Sequence, residues 1–212
     1  MPDINTLRSG IESFAKRNCY DGSAYNTTVT KGQKPKIMIV SCSDSMVDPA
    51  VLMNAGPGEL FIHRNIAGLV PPYQPEERDK HHGTSAVIEY GVTALKVDHL
   101  IVLGHGNCGG IKSMIQDHIH VGHDSFVAAW MRIAEPALDA LKKETTETVS
   151  LEKQQHICEK EAIILSLNNL MTFPWIKERV RAGSLQLHGW HFDRGIFSTY
   201  NGEVKQFEQN YC

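Results

Sequence analysis

The apolar residues Ile4, Leu7, Ile11 and Phe14 recur every three to four positions, the period of one helix face, up to the turn signal Asp21-Gly22. Residues 1–30 are thus expected to form an N-terminal helical arm whose apolar stripe needs a surface to cover it. The pattern then changes to short β-branched runs. Lys36 to Ser41, entered from Gly32 and Pro35, and Glu59 to His63, after Pro57-Gly58, read as strands. Pro71, Pro72 and Pro75 with the charged run Glu76 to Lys80 predict a surface loop, and Thr84 to Lys96 a helix capped by Thr84 or Ser85. His99 to Leu103 is a third strand, followed by a Gly-rich turn and a helix from about Gly110.

Ser125 to Arg181 is mostly helical in pattern, interrupted at Pro136 and Pro174, with Ile157, Ile163, Ile164 and Leu167 on an apolar face. Leu185 to Phe192 and Gly195 to Tyr200 form a terminal strand pair around an Asp193-Arg194-Gly195 turn. Strands alternating with helices imply an α/β fold: a mostly parallel central sheet flanked by helices, as one domain over residues 1–212. In such sheets ligands gather outside the carboxyl ends of the strands.

Composition narrows the function more than the fold. A chain of 212 residues with 42% hydrophobic and 21% charged residues is ordinary for a globular protein, and a formal charge of -3 offers no basic field for nucleic acid or anionic lipid. No apolar run approaches the roughly 18 residues that a membrane span needs, and the N-terminus lacks the apolar stretch of a signal peptide. A cytoplasmic protein without nucleic-acid or membrane partners is expected. The five cysteines, Cys19, Cys42, Cys108, Cys158 and Cys212, are odd in number and scattered, which favours reduced thiols over disulfides.

Two of those thiols stand at the ends of predicted strands. Cys42 lies in Ser-Cys-Ser-Asp-Ser, and His105 and Cys108 in Gly-His-Gly-Asn-Cys-Gly-Gly. Two thiolates and one imidazole select Zn2+ among common metals, and three protein ligands leave a fourth position for water, as in catalytic sites. Asp44, two residues beyond Cys42, has three available roles: a cap on the following turn, a hydrogen-bond acceptor for water at the metal, or the fourth ligand itself. The histidines His81, His82, His118, His120 and His123 read as surface residues, and Cys19, Cys158 and Cys212 as thiols without a site.

Cys-Ser-Asp-Ser, Arg-Asn-Ile-Ala, Val-Pro-Pro-Tyr, Glu-Tyr-Gly-Val and Gly-His-x-x-Cys-Gly-Gly, in that order, resemble the β-class carbonic anhydrases. The likeness runs from about Gln33 to Leu187-His188-Gly189-Trp190. It implies zinc on Cys42, His105 and Cys108, with Asp44 as the carboxylate partner of the water at the metal. It also implies a carbon dioxide pocket walled by Gln33, Phe61, Ile66 and Tyr90, some of it lent by a second subunit of a homodimer or higher homo-oligomer. Arg64 and Asn65 are expected to hold loops and subunits by charge-assisted hydrogen bonds.

One position departs from the pattern. Where the family normally carries an arginine that pairs with the aspartate, this chain has Met46, a thioether without charge and only a weak acceptor. Without that cation, Asp44 is expected either to favour its protonated form or to swing onto the zinc, and both weaken hydration near neutral pH. Three readings stay open: a weakened carbonic anhydrase, a zinc hydrolase acting on a carbon dioxide analogue such as carbonyl sulfide or carbon disulfide, and a catalytically closed zinc-binding protein.

Overall fold

The structure, a computed structural model, describes residues 3–77, 79–116, 125–144 and 149–210. Helix α1 (Ile4–Asn18) begins where the Asp3 carboxylate accepts the Thr6 N–H at 2.8 Å and ends with Lys16 and Arg17 in its last turn, complementing the helix dipole at that end. Most of its apolar face is left uncovered by the described residues: Ile4, Leu7 and Ile11 are all exposed. Phe14 meets Tyr25 of α2 (Ala24–Lys31) edge to face with ring centroids 5.4 Å apart, which ties the two helices of the arm together.

The strands are β1 (Ile37–Cys42), β2 (Leu60–Asn65), β3 (His99–His105), β4 (Gln186–Asp193), β5 (Ile196–Asn201) and β6 (Gln206–Asn210), in the order β2-β1-β3-β4-β5-β6. The first four neighbours run parallel, and β5 and β6 add antiparallel edges. Strand alternation sorts the core into two faces. Ile39, Ile101 and Leu103 face one cluster with Cys108, Ile111 and Met131, while Met38, Val40, Leu100 and Val102 face another with Ile163, Phe173 and Ile176. Burial on both faces explains why β1 and β3 are continuous apolar runs.

The connecting helices are α3 (Pro49–Leu52), α4 (Gly83–Glu89), α5 (Gly109–Ile115), α6 (Phe126–Met131), α7 (Pro136–Glu144), α8 (Leu151–Leu170) and α9 (Pro174–Arg181). Pro136 and Pro174 open α7 and α9 rather than breaking a helix, as suits a residue whose missing N–H is one that the first turn leaves unpaired anyway. Helix α8 buries Cys158, Glu159, Ala162, Ile163, Ser166 and Leu170 against the sheet. Its close approach requires a glycine, because a Cβ on Gly104 would stand 2.7 Å from Ile163 Cδ1.

Several expectations shift. Neither Thr84 nor Ser85 caps α4: its N-cap is His82, without a side-chain hydrogen bond, and Thr84 Oγ1 instead meets His63 Nε2 at 3.0 Å. The predicted helix to Lys96 passes into a π-helical turn over Tyr90–Ala94. Strand β2 extends two residues beyond His63, to Asn65. The terminal pair is joined by Arg194 and Gly195, both at positive φ, the geometry of a two-residue hairpin, so β5 starts at Ile196. Strand β6, absent from the sequence reading, is mostly polar and exposed, which hid its alternation.

Candidate active site

Parallel pairing of β1 with β3 brings their carboxyl ends side by side. Cys42 is the last residue of β1, His105 the last of β3, and Cys108 the residue that opens α5 three positions later. One donor atom from each lies within 4.8 Å of the other two, and all three residues are buried. The His105 ring is oriented from behind, its Nδ1 donating to the Gly106 carbonyl at 2.9 Å. Its Nε2 is buried without a hydrogen-bond partner among the described residues. A bare imidazole lone pair facing two sulfurs is the arrangement a metal ligand needs.

The electrostatics agree. The Cys108 thiol hydrogen-bonds to Cys42 and pulls the Cys42 thiol well below its ordinary range against the opposing effect of burial, with His105 and the Asp44 N–H adding to the pull. Cys108 is driven the other way, first by that same bond to the Cys42 thiolate and then by burial. Burial works against a charged His105, but attraction to Cys42 outweighs it and raises its affinity for a proton. Two thiols thus compete for one proton beside an imidazole, and a soft divalent cation would replace that proton and satisfy all three donors.

Asp44 does not join this set. Its Oδ1 accepts the Met46 N–H at 3.0 Å, and its own N–H points at Cys42 Sγ at 3.4 Å, so the Cys42–Met46 turn holds the carboxylate through backbone. The Met46 side chain is 65% exposed and contributes no donor. Arg64 braces the same turn without touching the Asp44 carboxylate: Nε donates to the Cys42 carbonyl at 2.8 Å, Nη2 to the Asp44 carbonyl, and Nη1 to Asp48 Oδ2 at 2.8 Å. Asn65 pins the adjoining loop by bonding both the carbonyl and the N–H of Leu69, across Ala67 and Gly68, which have φ of 62° and 63°.

The expected pocket wall is divided between two surfaces of the chain. Ile66 lines a cavity of about 610 Å³ with Ser43, Asn65, Phe126 and Trp130, next to the Cys42 turn. Gln33 and Tyr90 line a separate groove of about 570 Å³ with Tyr25, Leu60 and Leu95, and the Phe61 ring lies 5.8 Å from that of Tyr90. A third, smaller cavity of about 290 Å³ opens between His105 and Met46, with Val47, Phe192 and Arg194 in its wall. Arg194 is the cation among those residues, but its guanidinium faces Asp193 and Glu152.

Two features escaped the sequence. His81, exposed as expected, and half-buried His82 also line the Ile66 cavity, whereas His118, His120, His123 and Cys212 lie outside the described residues. Glu159 accepts the Cys108 N–H at 3.0 Å from the middle of α8 and faces His191 at 3.4 Å. A glutamate on an apolar helix face was the available signal, because a buried carboxylate needs partners.

A mostly parallel α/β sheet that gathers a buried Cys-His-Cys cluster at the carboxyl ends of its strands presents a candidate metal site where such sheets place their ligands. The chain belongs to the β-carbonic anhydrase family: residues 37–196 match the carbonic anhydrase family. It is 35% identical over 206 residues to beta carbonic anhydrase 3 of Arabidopsis thaliana, covering 95% of this chain and 78% of that one. The structure of the β-carbonic anhydrase CcaA superposes with a TM-score of 0.84 at 27% identity, over 99% of this chain and 92% of that one. A β-carbonic anhydrase of Coccomyxa, solved with acetazolamide, shares the fold at a TM-score of 0.79 and 24% identity, covering 94% and 86% of the two chains. One of two tetrameric β-carbonic anhydrases of Sordaria macrospora does so at 0.74 and 24%, covering 99% and 95%. Among the described residues no helix is long and apolar enough to cross a membrane.

Proposed function

We propose that the protein hydrates carbon dioxide reversibly to bicarbonate and a proton, using zinc held by Cys42, His105 and Cys108, and that Met46 slows it. The observation that carries this reading is the unpartnered Nε2 of buried His105 beside two thiols. Zinc at these donors supplies the Lewis acid that makes water a nucleophile at neutral pH. The remaining work falls to the chain. Asp44, held by the Met46 N–H, accepts a hydrogen bond from the attacking water and orients it. Arg64 fixes the turn that carries Asp44, and Ile66 offers an apolar surface to an uncharged substrate.

Gln33, Phe61 and Tyr90 complete the pocket from a second copy of the chain. Exposed Ile66, Phe126 and Val127 on one surface and Tyr90 and Val29 on another support such an assembly, as does the uncovered face of α1. At least a homodimer is required. Cys19, Cys42, Cys108 and Cys158 form no disulfide among the described residues, which fits a reducing, cytoplasmic setting.

In place of an arginine at Met46, the donor that the described residues give the Asp44 carboxylate is the neutral Met46 N–H, which orients it without balancing its charge. Turnover on carbon dioxide is expected to rise in Met46→Arg by at least about tenfold, the scale of one charge-assisted hydrogen bond. A native rate equal to that of the variant would refute the role given to Met46. Met46, Val47 and Phe192 in the wall beside His105 favour a second reading, hydrolysis of carbonyl sulfide. Native turnover of carbonyl sulfide that exceeds carbon dioxide turnover would select it, and no turnover of either substrate, restored by Met46→Arg, would select a closed native site.

A further inference from the structure

Behind the Cys108 loop, α8 and β4 assemble a second group of metal-binding side chains. His156 and Glu159 are three residues apart on α8 and therefore share a helix face. His191 comes from β4, paired in register with Gly104, the residue before His105. One donor atom from each of these three side chains lies within 4.8 Å of the other two. Glu159 and His191 are buried and His156 is exposed, so two donors are fixed by the core and the third stands where solvent delivers an ion.

The hydrogen bonding leaves this group incomplete. Glu159 Oε1 is taken by the Cys108 N–H, but Oε2 and His191 Nε2 stand 3.4 Å apart, long for a charge-assisted hydrogen bond. The His156 and His191 rings meet edge to face with centroids 5.4 Å apart and exchange no hydrogen bond there. A cavity of about 330 Å³ adjoins the group, lined by Asn107, Ser150, Gln155, His156, Glu159 and Asp193 among others. Gln155 is 6% exposed, and its amide nitrogen is buried without a hydrogen-bond partner among the described residues. A buried donor without an acceptor, in the wall of a cavity beside three metal-binding groups, calls for an oxygen ligand there.

We propose that His156, Glu159 and His191 bind a second divalent transition cation, of the zinc class, separate from the Cys42, His105 and Cys108 set. Two imidazoles and one carboxylate are a donor set that zinc and cobalt both accept, harder than the thiolate set. The Gln155 amide donates to a water or small anion on the open side of that cation. Glu159 then bridges the two sites, with one oxygen on the cation and the other on the backbone of Cys108.

Cobalt(II) added to the holoenzyme carrying one equivalent of zinc tests this directly. One further equivalent of cobalt is expected to bind per chain, with visible ligand-field bands and without the near-ultraviolet thiolate-to-cobalt charge transfer that marks exchange into the Cys42 site. His156→Ala, a truncation at an exposed position, is expected to weaken that binding at least about tenfold, the scale of losing a ligand or its support. Retention of the native zinc in that variant shows that its fold is intact. Failure of the holoenzyme to bind a further cobalt, cobalt appearing only with thiolate charge transfer, or equal affinity in His156→Ala would each overturn the proposal.

Discussion

Replacing Arg64 with Met removes three bonds at once from the turn that carries Asp44. The guanidinium spans the carbonyls of Cys42 and Asp44 and the Asp48 carboxylate, with its own side chain 26% exposed and that of Asp48 41% exposed. Asp48 keeps the Ala50 and Val51 N–H groups, at 3.0 and 3.2 Å, and its charge is open to water, so the lost ion pair contributes at most about 1 kcal/mol. Each carbonyl loses a charge-assisted bond with partial replacement by water, about 1.5 kcal/mol apiece at the low end of that range. Together these come to about 3–4 kcal/mol, a large share of the 5–15 kcal/mol typical of a domain. Urea unfolding of the zinc-loaded protein reads this as a lower midpoint at unchanged slope. Arg64→Lys should recover less than half of the loss, since an ammonium cannot span acceptors that a planar fork reaches together. A loss below about 1 kcal/mol for Arg64→Met, or full recovery by Lys, would refute the brace.

Gly68→Ala is expected to cost about 1–3 kcal/mol and to lower zinc occupancy, because φ is 63° there and the new Cβ would stand 3.0 Å from the Ser41 backbone at the end of β1; unchanged stability in urea contradicts this. Burial lowers the proton affinity of His63 and His188 from the ordinary value of 6.5, so below that pH the unfolded chain binds more protons than the folded one. Stability should therefore fall as pH drops below about 6.5, and a double change of His63 and His188 to Gln should flatten the slope of thermal midpoint against pH; an unaltered slope counts against it. Mixed assemblies of Cys108→Ser and Tyr90→Ala chains should regain carbon dioxide hydration that neither parent shows, since one composite site has every residue intact. A mixture no more active than its parents places the whole site in one chain.

What the sequence made legible was local. Lys36 to Ser41 and His99 to Leu103 declare themselves as buried strands by continuous β-branched runs, and parallel pairing then forces Cys42 and His105 together. Arg64 was read as a tie between loops, but its partners at Cys42, Asp44 and Asp48 lie 16 to 22 residues away and depend on the β2 register. Glu159 and His191 stayed hidden for the same reason, since helix spacing pairs Glu159 with His156 but cannot say what faces them. The separation of Gln33 and Tyr90 from Ile66 is likewise a matter of tertiary placement. The methionine at position 46 was visible in the sequence, whereas the backbone N–H that holds Asp44 was not, because a main-chain donor belongs to every residue type but proline.

The proposed chemistry depends most directly on what surrounds the zinc. X-ray absorption at the zinc edge, on protein carrying one equivalent of metal, should find two sulfurs at about 2.3 Å, one imidazole nitrogen at about 2.0–2.1 Å and one further light atom. Cys108→Ser should reduce the sulfur count to one. A native spectrum with fewer than two sulfurs would contradict the assignment of zinc to Cys42, His105 and Cys108.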